Sequence, residues 1–352
     1  MNSYELVTNE IKVFDIPELF QVKNFVTSLI KSKKLIYQVD SEPFPSCPHC
    51  HSKITKKNGK MKNGTQRYLC LNSKCRKSFS SNTNSYLKGT RKFGDYLYQM
   101  IEYTLDGLSI RNISSKLDIP IKTIWEWRTK IIALLDEFID KENPLAKVLY
   151  SDETFIKINL KGTKKDKMPR KSYVRKTSAV GLRELVCIQT VIDENKRSLF
   201  NINGVGRLSH SKLDSFLKPL ILSGSTIVTD GERAYMEFAI ERDLYHEPVM
   251  PGNSYSRNGY NLNLINNAHS NFKFFMKKYR GVSTKRLKGY INLYLIQQSL
   301  KQILELKEIP NYIFESIMDL KYNLSITEIY NADFPIDVYG IYEELRKEGL
   351  IQ

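Results

Sequence analysis

Four cysteines crowd one short stretch of the chain: Cys47 and Cys50 in CPHC, then, after nineteen residues, Cys70 and Cys75 in CLNSKC. Two close pairs separated by a hairpin-sized gap suit a tetrahedral four-thiolate zinc site, each pair forming a knuckle at a turn. Asn58-Gly59 and Asn63-Gly64 carry turn signals that predict a hairpin bringing the knuckles together. The competing reading, disulfides, needs an oxidising compartment that nothing in the sequence supports. His49 and His51 lie close enough to replace a thiolate, but four cysteines already fill a structural site. The fifth cysteine, Cys187, sits in the apolar run Leu185-Val186-Cys187-Ile188 and reads as a buried thiol.

A second group of residues has oxygen ligands. Asp152 lies inside the strand-like run VLYSDETFIKINL, where an acid must be satisfied, and a divalent cation is one way to do so. Asp230 ends the run Ile227-Val228-Thr229 and precedes Gly231, which places it at the carboxyl end of a strand, where α/β sheets hold their ligands. Each acid alone also reads as a helix cap or a salt-bridge partner. Glu153 alternates to the face opposite Asp152. Two acids converging on hard cations suit two-metal phosphoryl transfer. A third oxygen ligand is expected from a following helix, and Asn266 is the candidate, with Asn267 the alternative. Lys273 follows Asn266 by seven residues, two helical turns, so both emerge on one face, and His269 lies near it. Ala268 through Lys288 holds seven Lys plus Arg and no acid. The plain alternative for this segment is a basic surface helix.

These groups need elements to hold them. Leu19, Phe20, Val22, Phe25, Val26, Leu29 and Ile30 are spaced for amphipathic helix in the first 40 residues. Residues 105–135 have the pattern of a helix-turn-helix: Ile110, Ile113 and Leu117 on a first helix, a turn at Asp118-Ile119-Pro120, then Thr123, Ile124, Trp127 and Ile131 on a second. An ordinary helical hairpin has the same pattern. The second helix offers Lys122, Thr123, Trp125 and Arg128 to DNA, with Trp127 in the core. From about Val148 the texture turns to short runs rich in Val, Ile, Tyr and Phe (VLYSDETFIKINL, SYVRKTSAV, RELVCIQTVI, STIVTD) and then to helical patterns, which predicts a mixed α/β layer structure. The tail from Pro310 reads as helical.

The 352 residues include 54 Lys plus Arg against 38 Asp plus Glu, a net charge of +16, with 41% hydrophobic and 26% charged residues. That balance excludes wholesale disorder. No apolar run approaches the roughly 18 residues that would span a bilayer, and the N-terminus has no signal-peptide pattern. The expectation is a cytoplasmic protein, associated with the nucleoid in a bacterium, whose charge calls for an anionic partner, nucleic acid above all. The ribbon shares that charge: Lys53, Lys56, Lys57, Lys60, Lys62, Arg67, Lys74, Arg76 and Lys77 surround the cysteines.

In this order and spacing, CPHC…CLNSKC, SDET, IVTDGERAY and NNAHSNFK followed by YRGVSTKRLKGY resemble the DDE-type insertion-sequence transposases. The similarity covers residues 47 to about 295. Within the class it points to the zinc-ribbon group in which Asn replaces the final Glu and a Lys follows it. The resemblance implies an RNase H-like core in which Asp152, Asp230 and Asn266 hold two Mg²⁺ ions, with Mn²⁺ able to substitute. It also implies that Lys273 contacts DNA or the reacting phosphate. The expected partners are double-stranded DNA, as transposon terminal repeats and target, contacted also by Lys277, Lys278 and Arg280, and further copies of the chain in a homodimer or higher oligomer. The expected organisation is a helical extension over 1–42, a zinc ribbon over 43–82, a helix-turn-helix region over 90–142, an RNase H-like catalytic domain over 146–300 and a helical tail over 301–352. The alternatives are a zinc-ribbon and helix-turn-helix regulator without chemistry, a decayed transposase that binds but does not cut, and a nuclease without strand transfer.

Overall fold

A computed structural model describes residues 45–61, 66–80, 83, 93–139, 145–162, 184–320, 324 and 326–349. The helices expected in the first 40 residues, the turn at Asn63-Gly64 and the strand SYVRKTSAV lie outside them. Two compact units divide the chain: the described part of Met1–Leu134 with Leu304–Tyr330, and Leu135–Ile303 with Asn331–Gln352. The C-terminal tail, expected as one segment, is therefore shared between the two.

The first unit opens on a three-stranded antiparallel sheet in the order β1 (Thr55–Lys60), β2 (Gln66–Cys70), β3 (Ser78–Ser80). Tyr68 and Phe79 stack at 5.6 Å between ring centroids and supply its small core. Asn58-Gly59, expected at the hairpin turn, falls inside β1, where the pairing with β2 shifts register between Lys57 and Lys60. Gly59 has φ +71° there, and its carbonyl accepts from Gln66 Nε2 at 2.8 Å. Its freedom at positive φ makes a bulge instead of the turn.

Helices α1 (Phe93–Leu105), α2 (Ile110–Leu117) and α3 (Ile121–Leu134) follow. Ser109 caps α2, its Oγ accepting from the Asn112 N–H at 3.1 Å. Asp118 takes the left-handed conformation at φ 50°, ψ 47° that ends α2, and Pro120 starts α3 without needing a donor. The expected three-residue turn between two helices is thus present. Ile113, Ile124, Trp127 and Ile131 are buried, and Trp127 stacks on Tyr96. Two helices of the tail complete this unit: α8 (Ile309–Asp319) sets Phe314 against Tyr98 of α1, and α9 (Ile326–Asn331) sets Tyr330 against Trp125 of α3.

The second unit is built on a five-stranded mixed sheet. Its strands are β4 (Val148–Lys157), β5 (Leu185–Asp193), β6 (Ser198–Val205), β7 (Thr226–Thr229) and β8 (Tyr245–Pro248), in the spatial order β6-β5-β4-β7-β8. The first three pair antiparallel, while β4–β7 and β7–β8 pair parallel. Parallel neighbours need crossovers, and α4 (His210–Leu217) and α5 (Arg233–Glu241) supply them. Both pack on one face of the sheet through Leu149, Val191, Leu199, Leu213, Ile227 and Phe238. Strand alternation sends Phe200 to the other face, where α6 (Asn263–Lys278) and α7 (Leu287–Leu300) close over it with Phe272, Phe275 and Tyr294. A last helix, α10 (Val338–Lys347), ends the described chain. No helix among the described residues is long and apolar enough to cross a membrane.

Candidate active site

Asp152 and Asp230 come together through strand register. The β4–β7 ladder pairs Val148 with Thr226, Leu149 with Ile227 and Tyr150 with Val228. Two residues further along both strands stand Asp152 and Asp230, side by side at the carboxyl end of β7. Both acids thus stand at one end of the β4–β7 pair, near enough for the charge of Asp230 to act on Asp152. Asp152 Oδ1 accepts from the Glu153 N–H at 2.8 Å, and Asp230 Oδ1 accepts from the Glu232 N–H at 3.2 Å. Burial first, and then the charge of Asp230, push the Asp152 carboxyl up to about 6, against the opposing pull of the Glu153 N–H and Lys273. Carboxylates brought together in this way offer oxygen donors that a hard divalent cation could use.

The Asp230 turn is itself held. Gly231 has φ +83°, a conformation that favours glycine, and a Cβ there would lie 3.0 Å from Met250 Sδ. The Gly231 N–H donates to Thr229 Oγ1 at 3.1 Å, and the same hydroxyl lies 2.9 Å from His246 Nε2 on β8.

Helix α6 lies over the acids. His269 Nδ1 stands 3.8 Å from Asp152 Oδ2. Burial and then Lys273 push the imidazole down to about 4, so it is neutral near pH 7 and the contact is polar, not an ion pair. Asn266 precedes His269 by three residues and Lys273 follows it by four, so all three lie on one stripe of α6. Lys273 is exposed, and its charge reaches Asp152. Asn267 lies one position around the helix, where its Oδ1 accepts from Asn271 Nδ2 at 3.3 Å. Lys277, Lys278 and Arg280 are exposed at the end of the same helix and just beyond it. The α6–α7 loop is pinned to the end of β4, with Thr284 and Asn159 exchanging two 2.8 Å hydrogen bonds.

On the opposite face of β4, Glu153 points away from Asp152, as alternation requires. It accepts a 2.5 Å hydrogen bond from the hydroxyl of Tyr235. The signal for this contact in the sequence is Ser151 and Glu153, two polar residues on the face of β4 that also carries Leu149. Cys187 is buried as expected, and burial pushes its thiol up to about 12.

The cysteines meet as their spacing predicts. Cys47 Sγ and Cys75 Sγ are 3.8 Å apart, Cys50 Sγ and Cys70 Sγ 3.6 Å, and all four lie within 4.8 Å of one another. A tetrahedral ion with Zn–S bonds of about 2.3 Å sets sulfurs about 3.8 Å apart, whereas a disulfide needs about 2.05 Å. The cluster therefore fits zinc. His51 and Arg76, each one residue past the second cysteine of its pair, both have positive φ (57° and 49°), so the two knuckles turn alike. His49 and His51 remain outside the ligand set.

Of the residues expected to face DNA from the turn-connected helices, Lys122 is exposed and ion-paired with Glu126 at 4.0 Å, and Thr123 is half-buried. Trp125 is half-buried against Tyr330, with ring centroids 4.9 Å apart. Arg128 corrects the expectation: it is 4% exposed and its guanidinium donates to the Leu108 carbonyl, bracing the turn before α2 instead of presenting charge.

The sheet, the two aspartates at one end of its β4–β7 pair and the helix above them make up a mixed α/β domain. Residues 144–295 match the ISXO2-like transposase domain family, so the chain carries a transposase domain across this site. No curated protein sequence is detectably similar to the chain. Among solved structures, a chain of the simian T-cell lymphotropic virus intasome in complex with PP2A regulatory subunit B56 gamma is similar at 13% identity over 55% of this chain and 58% of that one, with a TM-score of 0.25. A chain of a pre-cleavage Mos1 transpososome is similar at 10% identity over 65% and 79%, with a TM-score of 0.20. This chain thus spans less than two thirds of the first of these, and neither overlap is close enough to define a shared fold.

Proposed function

We propose that the chain is a DDE-type transposase that binds the ends of an insertion sequence and cuts and joins DNA there by Mg²⁺-dependent phosphoryl transfer. The observation that carries this reading is the placement of Asp152 beside Asp230 under α6. The strand order, three antiparallel strands followed by two parallel ones, supports an RNase H-like core. We assign Asp152, Asp230 and Asn266 as the ligands of two divalent cations, which when bound activate the attacking oxygen and stabilise the leaving one. Asn266 is preferred to Asn267 because it shares the stripe of His269 and Lys273, whereas Asn267 bonds Asn271.

The chain's own residues then divide the work. The two carboxylates would hold the cations, whose positive charge would offset that of the phosphate, and the amide of Asn266 adds an oxygen ligand without charge. Lys273 holds a phosphate oxygen near the acids, and Lys277, Lys278 and Arg280 continue that path along the helix. Hydrolysis of one strand leaves a 3′-hydroxyl, which attacks a target phosphodiester in line; the new P–O bond forms as the target strand breaks, with no covalent protein–DNA intermediate. The ribbon, with zinc on Cys47, Cys50, Cys70 and Cys75, and the helix-turn-helix over α2 and α3 recognise the ends, with Lys122 and Thr123 the exposed and half-exposed contacts. A homodimer or higher oligomer on paired ends follows from a reaction that joins two ends.

The test is a cleavage and joining assay on DNA carrying the inverted repeats that flank the gene. Mg²⁺-dependent nicking and joined product are expected. Binding without nicking would favour a regulator or decayed transposase, and nicking without joining a nuclease.

A further inference from the structure

We propose that Tyr235 is a positioning residue for the metal-binding carboxylates: its hydroxyl, tied to the residues on both sides of Asp152, sets the offset between β4 and the Asp230 turn. The inference rests on the reading of Asp152 and Asp230 as cation ligands. The described β4–β7 ladder ends at Tyr150 and Val228, two residues short of the acids. Beyond it, two carboxylates that repel each other stand on segments no longer joined by that ladder, so another contact must hold their spacing.

Tyr235 makes that contact. It lies five residues past Asp230, in the first turn of α5, and is fully buried among Leu149, Ile227, Phe238 and Ala239. A phenol in such surroundings loses hydration that only good partners restore. Its partners are Glu153 Oε1 at 2.5 Å and Ser151 Oγ at 3.1 Å; Ser151 Oγ also lies 3.2 Å from the Thr190 carbonyl on β5. Ser151 and Glu153 flank Asp152 in the chain and point to the face opposite it. One hydroxyl on the helix that begins just after Asp230 therefore grips the strand on either side of Asp152. Shape alone would be met by phenylalanine, whose ring fills the same space. Outer partners bonded directly to ligands are worth roughly ten- to a hundredfold in metal affinity, and Tyr235, which acts through the strand on either side of Asp152, belongs at the lower end of that range.

The test uses the zinc-loaded full-length chain without DNA and follows Mn²⁺ binding by EPR titration, with thermal unfolding measured alongside. Tyr235→Phe is expected to bind Mn²⁺ about tenfold more weakly than the unaltered chain. Mg²⁺, which tolerates less departure from octahedral geometry, should compete for the variant even less well. A variant that melts earlier but binds Mn²⁺ as tightly as the unaltered chain would show a role in packing alone and overturn the proposal. Should Tyr235→Phe not fold, Ser151→Ala keeps the aromatic ring and removes one of its two partners; it should weaken Mn²⁺ binding in the same direction, and unchanged binding overturns the proposal. If the unaltered zinc-loaded chain binds no Mn²⁺, the metal reading fails and this inference with it, an outcome distinct from equal binding by both chains.

Discussion

At the scale of single residues, the proposed site depends on three oxygen ligands of unequal weight. Removing Asp152 or Asp230 takes away a charge where phosphate and cations must be balanced. Cleavage by Asp152→Ala or Asp230→Ala is expected to fall by about a hundredfold or more, about 2.7 kcal/mol of barrier. Binding to the DNA end, measured by gel shift, should stay nearly unchanged, since the recognition elements lie upstream. Normal cleavage in either variant would end the two-cation reading. Asn266→Ala should impair cleavage less steeply, because water can take the amide's place, and Asn267→Ala should be mild because that side chain engages Asn271. The reverse ranking in a single-turnover assay would move the third ligand by one position. Lys273→Ala should weaken the hold on DNA and be partly rescued at higher DNA concentration.

Secondary-structure elements carry the next level of control. In the ribbon, three short strands enclose a core of one aromatic pair and the cysteines, too little to fold without a metal. Replacing Cys47 or Cys70 with Ser should reduce zinc from about one ion per chain to none by metal analysis. A strong chelator should unfold the ribbon while leaving the thermal transition of the larger sheet unit in place; a common loss of both would contradict the independence of that unit's core. In the sheet unit, Gly231→Ala places a Cβ against Met250 at positive φ. A loss of roughly 1–3 kcal/mol is expected by denaturant titration, together with slower cleavage because the Asp230 turn moves. Gly59→Ala, also at positive φ but with open space around its Cβ, should leave cleavage unchanged.

The whole molecule carries a net charge of +16, and the basic residues spread from the ribbon to α6. Each phosphate neutralised releases condensed counterion, so affinity for duplex DNA should fall steeply with salt. With about six phosphate contacts the drop is on the order of a thousandfold between roughly 50 and 200 mM salt. A shallow dependence in fluorescence anisotropy titrations would mean that the basic segments do not lie on the duplex. Deleting residues 1–145 should abolish end-specific binding and leave weak binding at low salt, carried by Lys273, Lys277, Lys278 and Arg280. Sequence preference retained by that truncation would count against recognition by the ribbon and the turn-connected helices.

Much of this was legible in the order of residues because the chemistry was local. The spacing of CPHC and CLNSKC brings four sulfurs together through two tight knuckles, and Asp118-Ile119-Pro120 stops one helix and starts the next through backbone preferences that act over a few residues. Periodicity likewise placed Asn266, His269 and Lys273 on one stripe and sent Glu153 away from Asp152, since helical and strand repeats are properties of the backbone itself. What sequence could not decide were contacts set by register and packing between distant segments. Asn58-Gly59 carries a turn signal, yet the pairing of β1 with β2 makes it a bulge. Arg128 reads as an exposed cation, yet its helix turns it inward to the Leu108 carbonyl. Asp152 and Asp230 are 78 positions apart in the chain; it takes the parallel pairing of β4 with β7 to bring them to adjacent strands. The hydroxyl of Tyr235 meets Ser151 and Glu153 only after α5 has crossed back over the sheet, because side chains on the inward face of a strand find their partners in whatever helix the crossover lays against them.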